Sequence, residues 1–265
     1  METKMKIAVL IDGDNAEASL VEAMLSEISK FGKITIKRIY GDWTNPHLKS
    51  WKDKLNEFAI RPMQKFSYST GKNSTDSAMI IDAMDILHLK SVDGFCLVSS
   101  DSDYTGLAHR IREEGLFIMG IGKSETPVAL IKACESFIYN EILKPKETPP
   151  TVTEDGDSKF LKTETPKLPG VKIVGQIDLT KFNNKVTNKP MNPDLIESAY
   201  RMVADDMGMA LASRMKEALI KLDSSFDPRN YGYSSFRKFL EALYPPYEII
   251  VHPDGSTISI IKRDK

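Results

Sequence analysis

The sequence predicts an α/β domain, with a parallel sheet covered by helices on both faces, followed by a small winged helix-turn-helix domain. In residues 6–143, short apolar runs alternate with amphipathic segments, which is the pattern of βαβ units. From Pro193 onward, three helical segments precede two short apolar runs, Glu248–Val251 and Thr257–Ile261, with a turn between them. The predicted domains are therefore 1–144 and 191–265, joined by a largely flexible linker over 145–190 that is rich in Lys, Thr, Pro and acidic residues.

Five strands are predicted in the first domain, with helices in the gaps between them. If their order is 3-2-1-4-5, right-handed crossovers make the first and fourth strands neighbours. One run inside the linker, Val171–Leu179, could form a further short strand or dock onto either domain. The five predicted strands are Lys6–Ile11, Ile34–Tyr40, Ile60–Phe66, Gly94–Ser100 and Leu116–Ile121.

Composition narrows the classes of function. The 265 residues include 36 Lys and Arg against 37 Asp and Glu, a net charge of −1, which argues against binding nucleic acid by bulk positive charge. The apolar run Ile7–Ile11 is too short for a signal peptide or a membrane span, so we expect a cytoplasmic protein without membrane association. Cys96 and Cys134 lie in apolar segments without metal-ligand spacing, which predicts reduced core residues.

Acidic residues follow two of the predicted strands. Asp12-Gly13-Asp14-Asn15 comes directly after the first, and Asp101-Ser102-Asp103 comes after the fourth. Because the carboxyl ends of parallel strands share one edge of a sheet, we expect Asp12 and Asp101 to face the same crevice. Asp76 is predicted at the start of a helix, at the end of its buried face, whereas Asp82 and Asp85 are expected on the solvent side of that helix.

Several carboxylates at one edge repel one another, by about 4 kcal/mol for a pair about 4 Å apart at an effective dielectric constant near 20. A divalent cation would remove this repulsion. The cluster offers only oxygen ligands, which favours Mg²⁺ or Mn²⁺ over Zn²⁺. The simpler interpretation is that each aspartate only caps the helix that follows it.

Three other patterns suggest different chemistry. Gly71-Lys72 lacks the residues of a Walker A loop, although Lys72 and the helix start at Ser74 could bind a phosphate. The opening Asp12-Gly13-Asp14 also resembles the start of haloacid-dehalogenase-type phosphatases, whose later motifs are not evident. Trp43 and Trp51, near several lysines, could form an RNA track or simply pack.

Taken together, the turn at Asp12, the helix start around Asp76 and the Ser99–Tyr104 segment resemble the NYN domain, a PIN-like nuclease fold of the LabA-like kind. The resemblance covers about the first 143 residues. It implies a metal-dependent ribonuclease centre, with Asn15 as a supporting polar residue. The residues that match the family's metal-binding acidic positions are Asp12, Asp76, Asp101 and Asp103.

The stretch from Ala218 to Glu241 is similar to the LOTUS, or OST-HTH, domain. Its Phe226, Phe236 and Phe239 have the spacing of core residues. Membership of this family implies binding of RNA or docking of a protein partner through the third helix and the wing. The side chains able to contact phosphates or stack on bases are Arg229, Tyr231, Tyr233, Arg237 and Lys238.

The residues from 192 to the C-terminus contain ten Lys and Arg against eleven Asp and Glu. Recognition of a structured or single-stranded RNA, or of a protein, is therefore expected rather than sequence-independent binding. We predict a ribonuclease that hydrolyses phosphodiesters by metal-activated water, with Mg²⁺ or Mn²⁺ as cofactor, RNA as substrate and a capacity to form homo-oligomers. The alternative is a catalytically silent RNA-binding or scaffold protein that keeps the nuclease fold.

Overall fold

The structure is a computed structural model and describes residues 4–64, 74–144, 190–243, 246–253 and 256–262. The side chains of residues 74–76 are not among those described. The predicted linker run Val171–Leu179 lies outside the described residues.

The first domain contains a parallel sheet of six strands in the order β3-β2-β1-β4-β5-β6. The order 3-2-1-4-5 considered for the first five strands is the one observed, and the first and fourth strands are neighbours, as expected for that order. The strands are β1 (Lys6–Asp12), β2 (Lys33–Gly41), β3 (Arg61–Gln64), β4 (Gly94–Val98), β5 (Phe117–Gly122) and β6 (Ser136–Tyr139).

The helices of this domain form two layers, one on each face of the sheet. One core contains Leu10 together with Met79 of α3, and the other contains Val9 together with Met24 of α1. The predicted α/β architecture with helices on both faces is therefore observed. The helices are α1 (Val21–Ser29), α2 (Lys52–Glu57), α3 (Ser74–His88), α4 (Thr105–Glu113), α5 (Val128–Ala133) and α6 (Asn140–Leu143).

Both cysteines are buried and free, as predicted. Cys96 lies in β4, and Cys134 directly follows α5. Burial disfavours the thiolate and raises the pKa of the Cys134 thiol to about 12. Both residues therefore act as small apolar core side chains.

The described residues of the second domain form three α-helices and a small antiparallel sheet in the order β7-β9-β8. The predicted hairpin is confirmed, with β8 and β9 paired along their length. Phe239 is fully buried and Phe226 nearly so, which agrees with their predicted core positions. The elements are α7 (Pro193–Val203), β7 (Met209–Leu211), α8 (Ala212–Leu222), α9 (Phe236–Glu241), β8 (Tyr247–Val251) and β9 (Ile258–Lys262).

Gly232 allows the tight turn that leads to α9. Its φ of +86° lies in the left-handed region, which glycine adopts without the steric cost of a Cβ atom. Ser235 then caps α9 by accepting a hydrogen bond from the N–H of Lys238 at 3.3 Å. This turn and cap set the start of the third helix of the domain.

Across the described parts of the chain, every helix is too short or too polar to cross a membrane.

Candidate active site

Asp12 is the last residue of β1, and its side chain is buried at the carboxyl end of the sheet. Its Oδ1 accepts a hydrogen bond from the N–H of Asp14 at 3.2 Å. Its Oδ2 accepts from the side-chain amide of Asn15 at 2.6 Å and from the hydroxyl of Ser99 at 2.8 Å. These bonds orient the carboxylate and compensate for its loss of hydrating water.

Ser99 connects Asp12 with the second acidic turn. Its hydroxyl donates to Asp12 and accepts a hydrogen bond from the N–H of Asp101 at 3.1 Å. Because β1 and β4 are neighbours, with Ile11 opposite Val98, the two turns meet at one edge of the sheet. Ser99 was not among the predicted site residues, since an uncharged serine after a strand does not by itself indicate a site.

Asp101 also caps the short 3₁₀ turn Ser102–Tyr104. Its Oδ1 accepts a hydrogen bond from the N–H of Asp103 at 3.0 Å. The side chains of Asp103 and Asp14 are exposed at the surface. The structure therefore connects the Asp12 carboxylate to Asn15 and, through Ser99, to the backbone N–H of Asp101, whose own carboxylate accepts from the backbone N–H of Asp103.

The remaining predicted residues of this site lie beyond what the structure describes. Ser74 and Asp76 are in the first turn of α3, but their side chains are outside the described set, and Lys72 lies outside the described residues. Side chains two residues apart on a strand point to the same face of the sheet. Ala8 and Leu10 pack against the layer that contains α3, so the side chain of Asp12 lies on that face as well. Among the described side chains, no group of three His, Cys, Asp or Glu residues could hold a metal ion.

A further acidic residue, Asp82 of α3, forms a polar cluster with two residues of β2. The Tyr40 hydroxyl donates to Oδ2 of Asp82, and the Arg38 guanidinium pairs with Oδ1. The side chains of Arg38 and Asp82 are only 22% and 17% exposed. The prediction that Asp82 faces solvent is therefore wrong, because β2 supplies polar partners on that side of the helix, whereas Asp85 is exposed as expected.

Tyr40 joins this cluster to the turn after Asp12. Its carbonyl accepts a hydrogen bond from the N–H of Gly13 at 2.9 Å. A Cβ atom at Gly13 would lie 2.8 Å from that carbonyl oxygen, so only glycine fits this approach. Burial, and then the hydrogen bond to Asp82, raise the pKa of Tyr40 far above its usual range, so the phenol stays protonated and acts as a donor.

In the second domain, the two predicted base-stacking tyrosines belong to an aromatic cluster. The ring centroids of Tyr231 and Tyr233 each lie 5.7 Å from that of Phe239, and both side chains are partly buried. Arg237 and Lys238 are exposed on α9, where Arg237 pairs with Glu241 at 3.1 Å.

Arg229 has a different environment from the other cations predicted to contact RNA. Its guanidinium pairs with Asp227 and with Glu27 of α1, both at 2.7 Å.

The two tryptophans considered for an RNA track are constrained by packing. Trp51 is 1% exposed, and the Trp43 indole N–H donates to the carbonyl of Met63 at 3.2 Å.

A parallel sheet with acidic turns at the carboxyl ends of two central strands, followed by a small winged helical domain, defines a PIN-like α/β fold joined to a winged helix-turn-helix domain. The sequence profile of the NYN domain matches residues 6–143. The chain belongs to the NYN domain family, and residues 191–259 match the OST-HTH/LOTUS domain. Both resemblances drawn from the sequence are confirmed.

The search of curated proteins found no match to this chain. A protein of unknown function from Vibrio parahaemolyticus is 20% identical, covers 53% of this chain and 95% of its own, and has a TM-score of 0.45. MurG from Acinetobacter baumannii is 11% identical, covers 56% of this chain and 43% of its own, and has a TM-score of 0.36.

Proposed function

We propose that this protein is a metal-dependent ribonuclease whose C-terminal domain binds RNA. The observation that supports this most is the network at the carboxyl edge of an NYN domain, in which Ser99 links the buried carboxylate of Asp12 to the turn of Asp101. The OST-HTH/LOTUS domain on the same chain supports RNA as the substrate class. Phosphodiester hydrolysis is the reaction that this combination favours.

Mg²⁺ or Mn²⁺ fits the chemistry of the donor set, because every candidate ligand is a carboxylate. The residues that would hold the ion are Asp12 and Asp101, together with Asp76 and Asp103. When bound, such an ion activates water and neutralises charge on a phosphodiester. The contribution of Asn15 and Ser99 is to orient Asp12, as hydrogen-bonding partners around a metal site commonly do.

Binding of the ion should stabilise the folded chain. At a Mn²⁺ concentration one hundredfold above the dissociation constant, we expect Tm to rise by about 5–10 °C in a differential scanning experiment. The combined substitution Asp12→Asn and Asp101→Asn should remove this rise, whereas Asp53→Asn, a change at an exposed position of α2, should keep it. An equal rise in the double variant and the wild type would place the ion elsewhere.

RNA binding by the second domain should depend on the exposed cations of α9. Arg237→Gln with Lys238→Gln should weaken RNA binding by the full chain about tenfold and reduce its salt dependence, since each phosphate contact adds a salt-dependent contribution. The control is Lys216→Gln with Lys221→Gln, which removes the same charge from the exposed surface of α8. Fluorescence anisotropy at several salt concentrations measures both quantities. Equal affinities and slopes for the two variants would favour a protein ligand for this surface.

A further inference from the structure

The loop after α8 contacts the first domain at the outer edge of the six-stranded sheet. Among the described strands, β6 pairs only with β5, so its other side is an edge. The N–H of Phe137 on β6 donates to the carbonyl of Ser224 at 2.8 Å. The Ser224 hydroxyl in turn donates to the carbonyl of Ile131 in α5 at 2.8 Å. The loop thus covers part of an edge that would otherwise be available to other strands.

An ion pair joins the same loop to α1. Nη1 of Arg229 lies 2.7 Å from Oε1 of Glu27, and the two side chains are only 32% and 12% exposed. Solvent screens such a partly buried pair less than a surface pair. Asp227 accepts two further hydrogen bonds from the guanidinium, at 3.0 and 2.7 Å. This two-point contact aims the remaining guanidinium nitrogen at Glu27.

The loop is held in shape before it meets the first domain. Asp223 accepts hydrogen bonds from the N–H and the hydroxyl of Ser225, at 3.0 and 2.6 Å. The side-chain amide of Asn230, which is 1% exposed, donates to the carbonyl of Ser225 at 2.9 Å. A loop ordered by its own contacts loses little conformational freedom when it docks.

The strand register gives the approximate distance from this contact to the candidate active site. Phe137 of β6 pairs with Gly120 of β5. Gly120 pairs in turn with Leu97 of β4, and Leu97 pairs with Leu10 of β1, so Phe137 is level with Leu10. Three strand spacings of about 4.8 Å separate Phe137 from Leu10, and Asp12 lies about 7 Å further along β1. The contact is therefore roughly 16 Å from Asp12, on the outermost strand at this side of the sheet.

We propose that the loop from Asp223 to Arg229 anchors the C-terminal domain to the β6 edge of the first domain, and that Arg229 serves this anchor instead of an RNA contact. The first domain and the C-terminal domain belong to one compact unit, which agrees with such an anchor. If the proposed function holds, the anchor keeps the C-terminal domain attached to the domain that carries the acidic edge. The anchor itself does not depend on that function.

Hydrogen exchange at the amide of Phe137 in the full chain tests the anchor without RNA or metal. Arg229→Met should speed exchange at this amide about tenfold or more, because the Ser224 acceptor is released. Arg214→Met, at an exposed position of α8, is the control and should leave it unchanged. Wild-type protection of Phe137 in Arg229→Met would overturn the proposal.

Arg229→Met also removes the ion pair with Asp227 inside the C-terminal domain, so a second variant changes the contact from the first domain only. Glu27→Gln should speed exchange at Phe137 as well, while the amides of α9 and β1 keep their protection. Its control is Glu22→Gln, which changes an exposed residue of the same helix. Protection that is unaffected by dilution of the wild type supports an anchor within one chain. Protection that falls on dilution, or that persists in Glu27→Gln, contradicts it.

Discussion

Replacing Asp12 and Asp101 together with asparagine should lower the rate of RNA cleavage about a thousandfold or more while the chain stays folded. Both carboxylates belong to the edge at which we propose the metal ion binds, and such an ion supplies several kcal/mol of transition-state stabilisation. Asparagine keeps the size of each side chain and one acceptor oxygen, so the hydrogen bond from Ser99 to position 12 can remain. Initial cleavage rates, with circular dichroism to monitor folding, measure the effect.

The matched control for this variant is Asp53→Asn, which removes one negative charge from the exposed surface of α2. It should cleave RNA at the wild-type rate. A double variant that folds and still cleaves at the wild-type rate would show that Asp12 and Asp101 take no part in the reaction. Loss of folding in the double variant would instead assign the carboxylates a structural role.

Asp82→Ala should lower the free energy of unfolding by about 2–3 kcal/mol, because it leaves the Arg38 guanidinium and the Tyr40 hydroxyl without their shared acceptor. Both partners are largely buried, so water replaces the lost contacts only in part. Urea denaturation of the full chain, followed by near-ultraviolet circular dichroism, measures the change.

Asp85→Ala is the control, since it removes an exposed carboxylate from the same helix. Its effect should stay within about 0.5 kcal/mol. Equal destabilisation by the two substitutions would mean that the cluster of Asp82, Arg38 and Tyr40 contributes no more than a surface charge does. A large effect confined to Asp82 would show that this buried cluster stabilises the fold.

Much of the fold could be predicted from local sequence, because parallel strands and their helices have distinct periodicities. Right-handed crossovers are compatible with the observed order of the first five strands but do not fix it, so that order could be stated from the sequence only as a condition. The sixth strand, Ser136–Tyr139, was not predicted, because four residues between two short helices are too few for a periodic pattern to show. The three-residue strand Met209–Leu211 was missed for the same reason.

Residues of the site could be predicted from the sequence only where they are charged. Asp12 and Asp101 stand out as acidic residues after apolar strands, whereas Ser99, which connects them, does not. Asp82 was assigned to solvent because helical periodicity describes one helix at a time and does not show what β2 places against it. One of the two acidic partners of Arg229, Glu27, lies 202 residues away in the chain, and no local pattern reveals such a contact.

Cleavage of RNA by the purified full chain in the presence of Mn²⁺, Mg²⁺ or EDTA tests the central proposal most directly. The proposed function predicts that a pool of cellular RNA is shortened when either metal is present, that EDTA stops the reaction, and that excess metal restores it. The Asp12→Asn and Asp101→Asn double variant should leave the pool intact under all three conditions. RNA that stays intact with the wild type at every metal concentration, or cleavage that continues in EDTA, would contradict the proposal, and intact but bound RNA would identify a catalytically silent RNA-binding protein.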